Sequence, residues 1–156
     1  MTNYKLSISY DGTDFHGFQI QRDKITVQEE FQKSLEVFTN DYELNYSGRT
    51  DAGVHAKAQI LSVKTNLNIN HKIINSMNKL LGHDISINSF KVVKDNFHAR
   101  YDAVQRTYKY FVSDSNQNYP YLKRQTLLYS KAVSYTHLRA HETGRNRVCR
   151  LLLEKK

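Results

Sequence analysis

The strict alternation at the start of the chain constrains the fold most. Over residues 4–10, Tyr4, Leu6, Ile8 and Tyr10 alternate with Lys5, Ser7 and Ser9. That is the period-two signature of a strand with one face hidden and one face wet. Such a strand needs a second layer for its apolar side, and the sequence offers two. Val27, Phe31, Leu35 and Phe38 recur at helical spacing, so a helix is expected to end near Asn40. Thr26 followed by Glu29 matches a capping box at its start. Ile73, Ile74, Met77, Leu80 and Leu81 give a second amphipathic helix, with Asn70 as N-cap and Gly82 just past its end. Residues 42–47, 57–64 and 84–93 supply further strands, and the aromatic stretch 106–113 a fifth. The order is β-α-β-β-α-β plus one more β. The expected fold class is therefore α+β and ferredoxin-like: an antiparallel sheet with two helices on one face.

Composition removes several alternatives. The chain has 156 residues, a net charge of +8, 39% hydrophobic residues and a single cysteine. One cysteine excludes an intramolecular disulfide framework. No apolar run approaches the ~20 residues of a membrane-spanning helix. Met1 leads straight into the first strand pattern, so no secretory leader is expected and a cytoplasmic location is. The positive charge is unevenly placed. Residues 133–156 carry six basic and two acidic side chains, and the first 132 carry seventeen and thirteen, so the short tail holds half the excess. That tail has no sustained period and contains Cys149. It reads either as a basic RNA-binding extension or as a foreign segment. It resembles a translated sequencing-adapter sequence, which favours the second reading and sets residues 133–156 apart as a non-native tail.

Three stretches carry candidate chemistry. In SGRTDAGVHA, Asp51 sits between Arg49 and His55 and is flanked by Gly48 and Gly53. An arginine two residues from a carboxylate favours its ionised form, and an ionised, positioned Asp can act as nucleophile or general base. The same pattern also suits a turn in which Asp51 caps the backbone and Arg49 is a solvated charge. Asp11, Asp14 and His16, with Asp51 and His55, could supply metal ligands, but their spacing matches no metal signature. In FHARYDAVQRTYKY, residues 97–110, cations alternate with aromatics. This suits RNA, where rings stack on bases and cations hold phosphates, and equally suits an amphipathic strand. In strand geometry Arg106, Tyr108 and Tyr110 would share a face.

Taken together and in order, YDGTDFHGFQIQ, VQEEFQKSLE, SGRTDAGVHA and FHARYDAVQRTYKY closely resemble the tRNA pseudouridine synthase A family over about residues 3–131. The resemblance implies an isomerase that converts uridine to pseudouridine in the tRNA anticodon stem-loop, with no cofactor and no metal. Asp51 matches the catalytic nucleophile and Arg49 the neighbouring arginine that pairs with it and helps flip the base. Tyr108 matches the tyrosine that packs on uracil and is a candidate base for the C5 proton. Phe15, His16, Gly17 and Gln19 match a loop in contact with tRNA, and Arg100 and Arg106 match basic positions facing RNA. The family is homodimeric, and its chain is longer, with a second ferredoxin-like half that walls the other side of the site. Its Phe-Leu-Tyr-x-Met-Val-Arg motif has no counterpart here. On this basis residues 1–104 are the N-terminal domain, 105–132 the start of a truncated second domain, and the chain is a fragment expected to be inactive alone. The alternative is a non-catalytic RNA-binding ferredoxin-like module, although the Lys/Arg-Gly-aromatic signature of RNA recognition motifs is missing.

Overall fold

The computed structural model describes residues 1–113 and 124–128, and the chain divides into two units, Met1–Val104 and Gln105–Lys156. The tail at residues 133–156 lies outside the described residues. In the first unit the elements run β1 (Thr2–Tyr10), α1 (Val27–Glu36), β2 (Tyr42–Tyr46), β3 (Ala56–Thr65), α2 (His71–Leu80) and β4 (Ile85–Val93). The strands form one antiparallel sheet in the order β2-β3-β1-β4. This is the ferredoxin-like arrangement expected from the sequence, with β1 central.

The alternation of β1 explains the layering. Tyr4, Leu6, Ile8 and Tyr10 are all buried, with Ile8 fully so. Leu6 stands opposite Leu61 on β3 and Phe90 on β4, while Tyr4 stands opposite Val63. These side chains meet Val27, Phe31 and Leu35 of α1 and Ile74 and Met77 of α2 in one core. The Thr26 hydroxyl accepts the Glu29 N–H and caps α1. The reciprocal half of the expected box does not form, because the Glu29 carboxylate meets Lys33 Nζ at 3.0 Å. Helix α1 ends at Glu36, before Asn40, and Phe38 packs on the core from the following turn. The Asn70 side chain caps α2 by accepting the Ile73 N–H at 3.1 Å. Leu80, expected on the buried face of α2, is 54% exposed; Ile74 and Met77 are the buried residues of the helix, with Ile73 and Leu81 packed beside them.

The other face of β1 is polar. Asn3 and Ser62 are nonetheless buried, because the chain after β4 folds over them. The Asn3 side-chain amide donates to the carbonyls of Lys94, Asp95 and Phe97, and the Ala99 N–H donates to Ser62 Oγ. The register between β1 and β4 shifts after Ser7. There the Asn78 amide of α2 accepts the Ile87 N–H and donates to the Ile87 carbonyl, standing in for a missing strand neighbour.

In the second unit, β5 (Val112–Ser113) pairs in parallel with β6 (Leu127–Leu128). The strand expected over 106–113 is thus confined to its last two residues. A strand exists only as one member of a hydrogen-bonded ladder, and among the described residues no strand ladder includes 106–111. The shared strand face expected for Arg106, Tyr108 and Tyr110 accordingly does not form.

Candidate active site

Two loops of the first unit build a cleft at one end of the sheet. One, residues 11–26, joins β1 to α1. The other, residues 47–55, joins β2 to β3. Both leave the sheet at the same end, since Tyr10 of β1 pairs with Ala56 of β3. Their backbones touch directly. The Phe18 N–H donates to the Thr50 carbonyl at 3.0 Å, and the Gly53 N–H donates to the Phe15 carbonyl at 3.2 Å. Glycine permits this approach at two positions. A Cβ on Gly12 would stand 2.1 Å from the Val54 carbonyl oxygen, and one on Gly17 would stand 2.7 Å from that of Thr50. Gly17 also has φ +92°, in the left-handed region that side chains disfavour.

Phe18 holds the first loop. Its ring is fully buried between Tyr46, 4.9 Å away between centroids, and Tyr10, 6.2 Å away. Its carbonyl accepts the Gln28 N–H in the first turn of α1. The second loop is held from below by strand side chains. Tyr10 Oη lies 2.9 Å from Thr50 Oγ1, and Gln59, a buried amide on β3, donates to the Gly48 carbonyl. Ser47 N–H donates to the Ile60 carbonyl at 2.8 Å. Thr50 is thereby fixed through both its side chain and its backbone, and its neighbours Arg49 and Asp51 are left exposed on the surface.

The cleft so formed has a volume of about 260 Å³ and is lined by His16, Gln19, Gln21, Arg49, Thr50, Asp51 and Ala52. Four residues singled out in the sequence, His16, Gln19, Arg49 and Asp51, therefore come together on it. Its volume lies just below the roughly 300–1,000 Å³ of small-molecule pockets. Gln21 braces the wall: its side-chain amide donates to the His16 carbonyl at 2.6 Å.

Other expected site residues take different places. Phe15, expected to contact RNA, is 8% exposed and part of the core, because its ring is apolar and the loop packs over it. Gly17 is buried and acts through its backbone, its carbonyl accepting the Val27 N–H. No ion pair joins Arg49 to Asp51 among the described residues; both are exposed to water, where such a pair gains little. The five residues weighed as metal ligands do not converge. Asp11 Oδ1 meets His55 Nδ1 at 3.0 Å, and among the described residues no three His, Cys, Asp or Glu side chains form a metal-binding group. Arg100 lies on the segment after β4, its guanidinium 5.9 Å from the Tyr101 ring centre, and that ring stacks against His98 at 4.3 Å. Arg106 and Tyr108 belong to the second unit, Arg106 exposed and Tyr108 half-buried.

A family model described as tRNA pseudouridine synthase matches residues 6–102, which include both loops of the cleft. The chain belongs to that family. A tRNA pseudouridine synthase A of Dictyoglomus thermophilum is 43% identical over 127 residues, covering 79% of this chain and 52% of its own. Those of Borrelia duttonii and Thermoanaerobacter sp. are 39% and 40% identical, covering 88% and 79% of this chain and 57% and 51% of their own. The chain thus spans about half the length of the curated relatives it matches. The residues that sequence reasoning passed over are Tyr10, Phe18, Thr50 and Gln59. A glutamine at a buried strand position and an aromatic inside a polar loop were the signals available for Gln59 and Phe18.

Proposed function

We propose that this chain is the N-terminal part of a tRNA pseudouridine synthase, with residues 1–104 as its first domain, 105–132 as the start of its second and 133–156 as a non-native tail. The complete protein isomerises uridine to pseudouridine in the anticodon stem-loop of tRNA, as a cytoplasmic homodimer. The observation that carries this reading is the cleft itself: Arg49 and Asp51 flank the doubly anchored Thr50, opposite His16 and Gln19 of a second loop. Among the described residues no helix is long and apolar enough to cross a membrane.

The chemistry asks for such a site. Uracil must leave the base stack, be detached from the ribose, turn and be rejoined through carbon. The Asp51 carboxylate acts as the nucleophile, dividing one hard step into two easier ones. Arg49 supplies the cation beside the phosphate backbone that keeps the nucleotide extruded. Tyr108, from the second domain, is the ring that packs on the uracil and a candidate for removing the C5 proton. Arg100 and Arg106 bind the RNA backbone. Detached uracil must meanwhile be kept from water, or hydrolysis leaves an abasic site. Asp51 is exposed in this chain, so a second wall is required, and the missing half of the relatives' length is where it is sought.

Replacing Asp51 with Asn or Ala in a complete, two-domain protein is expected to abolish pseudouridine formation, a loss of roughly 10³-fold or more, while tRNA affinity changes little. Full activity in Asp51→Ala would sink the assignment. A second reading applies to the 156 residues by themselves: RNA binding without turnover. It is favoured by Tyr101, which is 76% exposed and flanked by His98 and Arg100 as a stacking and cationic surface.

A further inference from the structure

We propose that His55 is a positioning residue which, through Asp11, sets the place of the Arg49–Asp51 stretch on the cleft wall. The inference rests on the reading of Asp51 as the reacting group, and it concerns the end of loop 47–55 that leads back into β3. Other anchors act on Ser47, Gly48, Thr50 and Gly53, and within the loop the Val54 N–H donates to the Asp51 carbonyl at 3.2 Å. Beyond them the chain re-enters the sheet at Ala56, where the ladder is irregular. The register between β1 and β3 is irregular between Ile8 and Tyr10, so the last pair, Tyr10 with Ala56, is not continuous with the rest. His55 immediately precedes Ala56, on the loop side of that irregular pair.

Its Nδ1 lies 3.0 Å from Asp11 Oδ1 and 3.3 Å from the Gly12 nitrogen. One nitrogen serves two partners in turn. With a proton on Nδ1 it donates to the carboxylate, and without one it accepts the Gly12 N–H. Both arrangements tie the end of the second loop to the start of the first. Asp11 is itself oriented, since its Oδ1 accepts from the Thr13 N–H at 3.0 Å and the Thr13 hydroxyl at 2.5 Å. The His55 and Asp11 side chains are 32% and 36% exposed, sheltered enough for a directional contact to hold. The clearance at Gly12, where any Cβ would strike the Val54 carbonyl, brings the two backbones close enough for the imidazole to reach. His55 touches none of the cleft's volume; it acts through the loop.

The test uses tryptic cleavage after the exposed Arg49 of the 156-residue chain, followed by mass, with cleavage after Lys72 on α2 as internal reference. His55→Ala and Asp11→Ala are each expected to raise the rate at Arg49 about tenfold without changing it at Lys72, and the double variant to go no further than either. His55→Asn is expected to restore the slow rate, because its amide nitrogen stands near the position of Nδ1. An unchanged rate at Arg49, an equal rise at Lys72, or additive effects would overturn the proposal. In a two-domain protein, His55→Ala is expected to lower kcat roughly tenfold to a hundredfold with KM for tRNA unchanged, and His55→Asn to recover it. A raised KM with unchanged kcat would also overturn it. If Asp51→Ala retains activity, the functional reading fails, whereas the cleavage pattern still decides the role of His55.

Discussion

Loop 47–55 and the segment 105–113 carry equally distinctive motif text, yet they take shape differently. The loop is pinned to β1, β3 and the loop after β1 by backbone and side-chain hydrogen bonds. The segment has two residues of paired strand and, over 105–111, no regular structure. The difference is one of partners. The hydrogen bonds described for the loop all lie within the first unit, between Tyr10 and Ile60. A strand at 106–111 would need a neighbour that the described residues do not contain. A motif can therefore be complete in sequence while only part of it has the surroundings that give it a conformation.

The comparison is broken most decisively by activity. The purified 156-residue chain is expected to form no pseudouridine in tRNA under conditions where a two-domain relative turns over. Turnover at a comparable rate would mean that the second wall is dispensable. Next comes Phe18→Ala, which removes a fully buried ring that joins the first loop to the core. A loss of about 3–5 kcal/mol is expected in denaturant unfolding, and a loss below 1 kcal/mol would show that the loop stands without this anchor. A smaller effect is expected from Gly17→Ala, where a positive φ and a 2.7 Å approach to the Thr50 carbonyl combine. About 1–3 kcal/mol should be lost, and the Phe18–Thr50 hydrogen bond should exchange faster by amide hydrogen exchange.

The sequence carried the layering almost entirely. The β1 alternation, the Thr26 and Asn70 caps and the positions of Ile74 and Met77 are local patterns with a single structural meaning. The exposure of Leu80 and the burial of Phe15 have one reason in common. Whether a side chain is covered depends on what lies across from it, and spacing along one element does not say how far the opposing layer extends. The grouping of His16 and Gln19 with Arg49 and Asp51 was legible only as motif text, because it depends on two loops far apart in sequence leaving the sheet side by side. The supporting roles of Tyr10 and Gln59 were hidden for the same reason: each reads as an ordinary strand residue until the loop above it is in view.

The smallest expected effect lies at the far end of β2, away from the cleft. Partial burial raises the Tyr42 hydroxyl above its ordinary value near 10, while its hydrogen bond from Gln32 opposes that rise and its bond to Glu36 adds to it. The folded state thus favours the protonated phenol. Its contribution to stability is fully present below pH 10 and is lost as pH rises through the raised value. Tyr42→Phe should flatten the alkaline limb of the stability curve slightly and leave cleavage after Arg49 unchanged; a change at Arg49 would show that the loop and the distal end of β2 are coupled.

The turn between Gln21 and Lys24 closes on a single bridge, with Asp23 at φ 58° and its neighbours Arg22 and Lys24 facing water. Upstream of it, residues 12–18 are tied to the facing loop by the Gly12–His55, Gly53–Phe15 and Phe18–Thr50 bonds, which an added residue would disturb. Between Gln21 and Lys24 the chain meets no such limit. Length variation in this region, natural or engineered, belongs at that tip, where a longer hairpin or an inserted label would extend the outer lip of the cleft and leave its floor undisturbed.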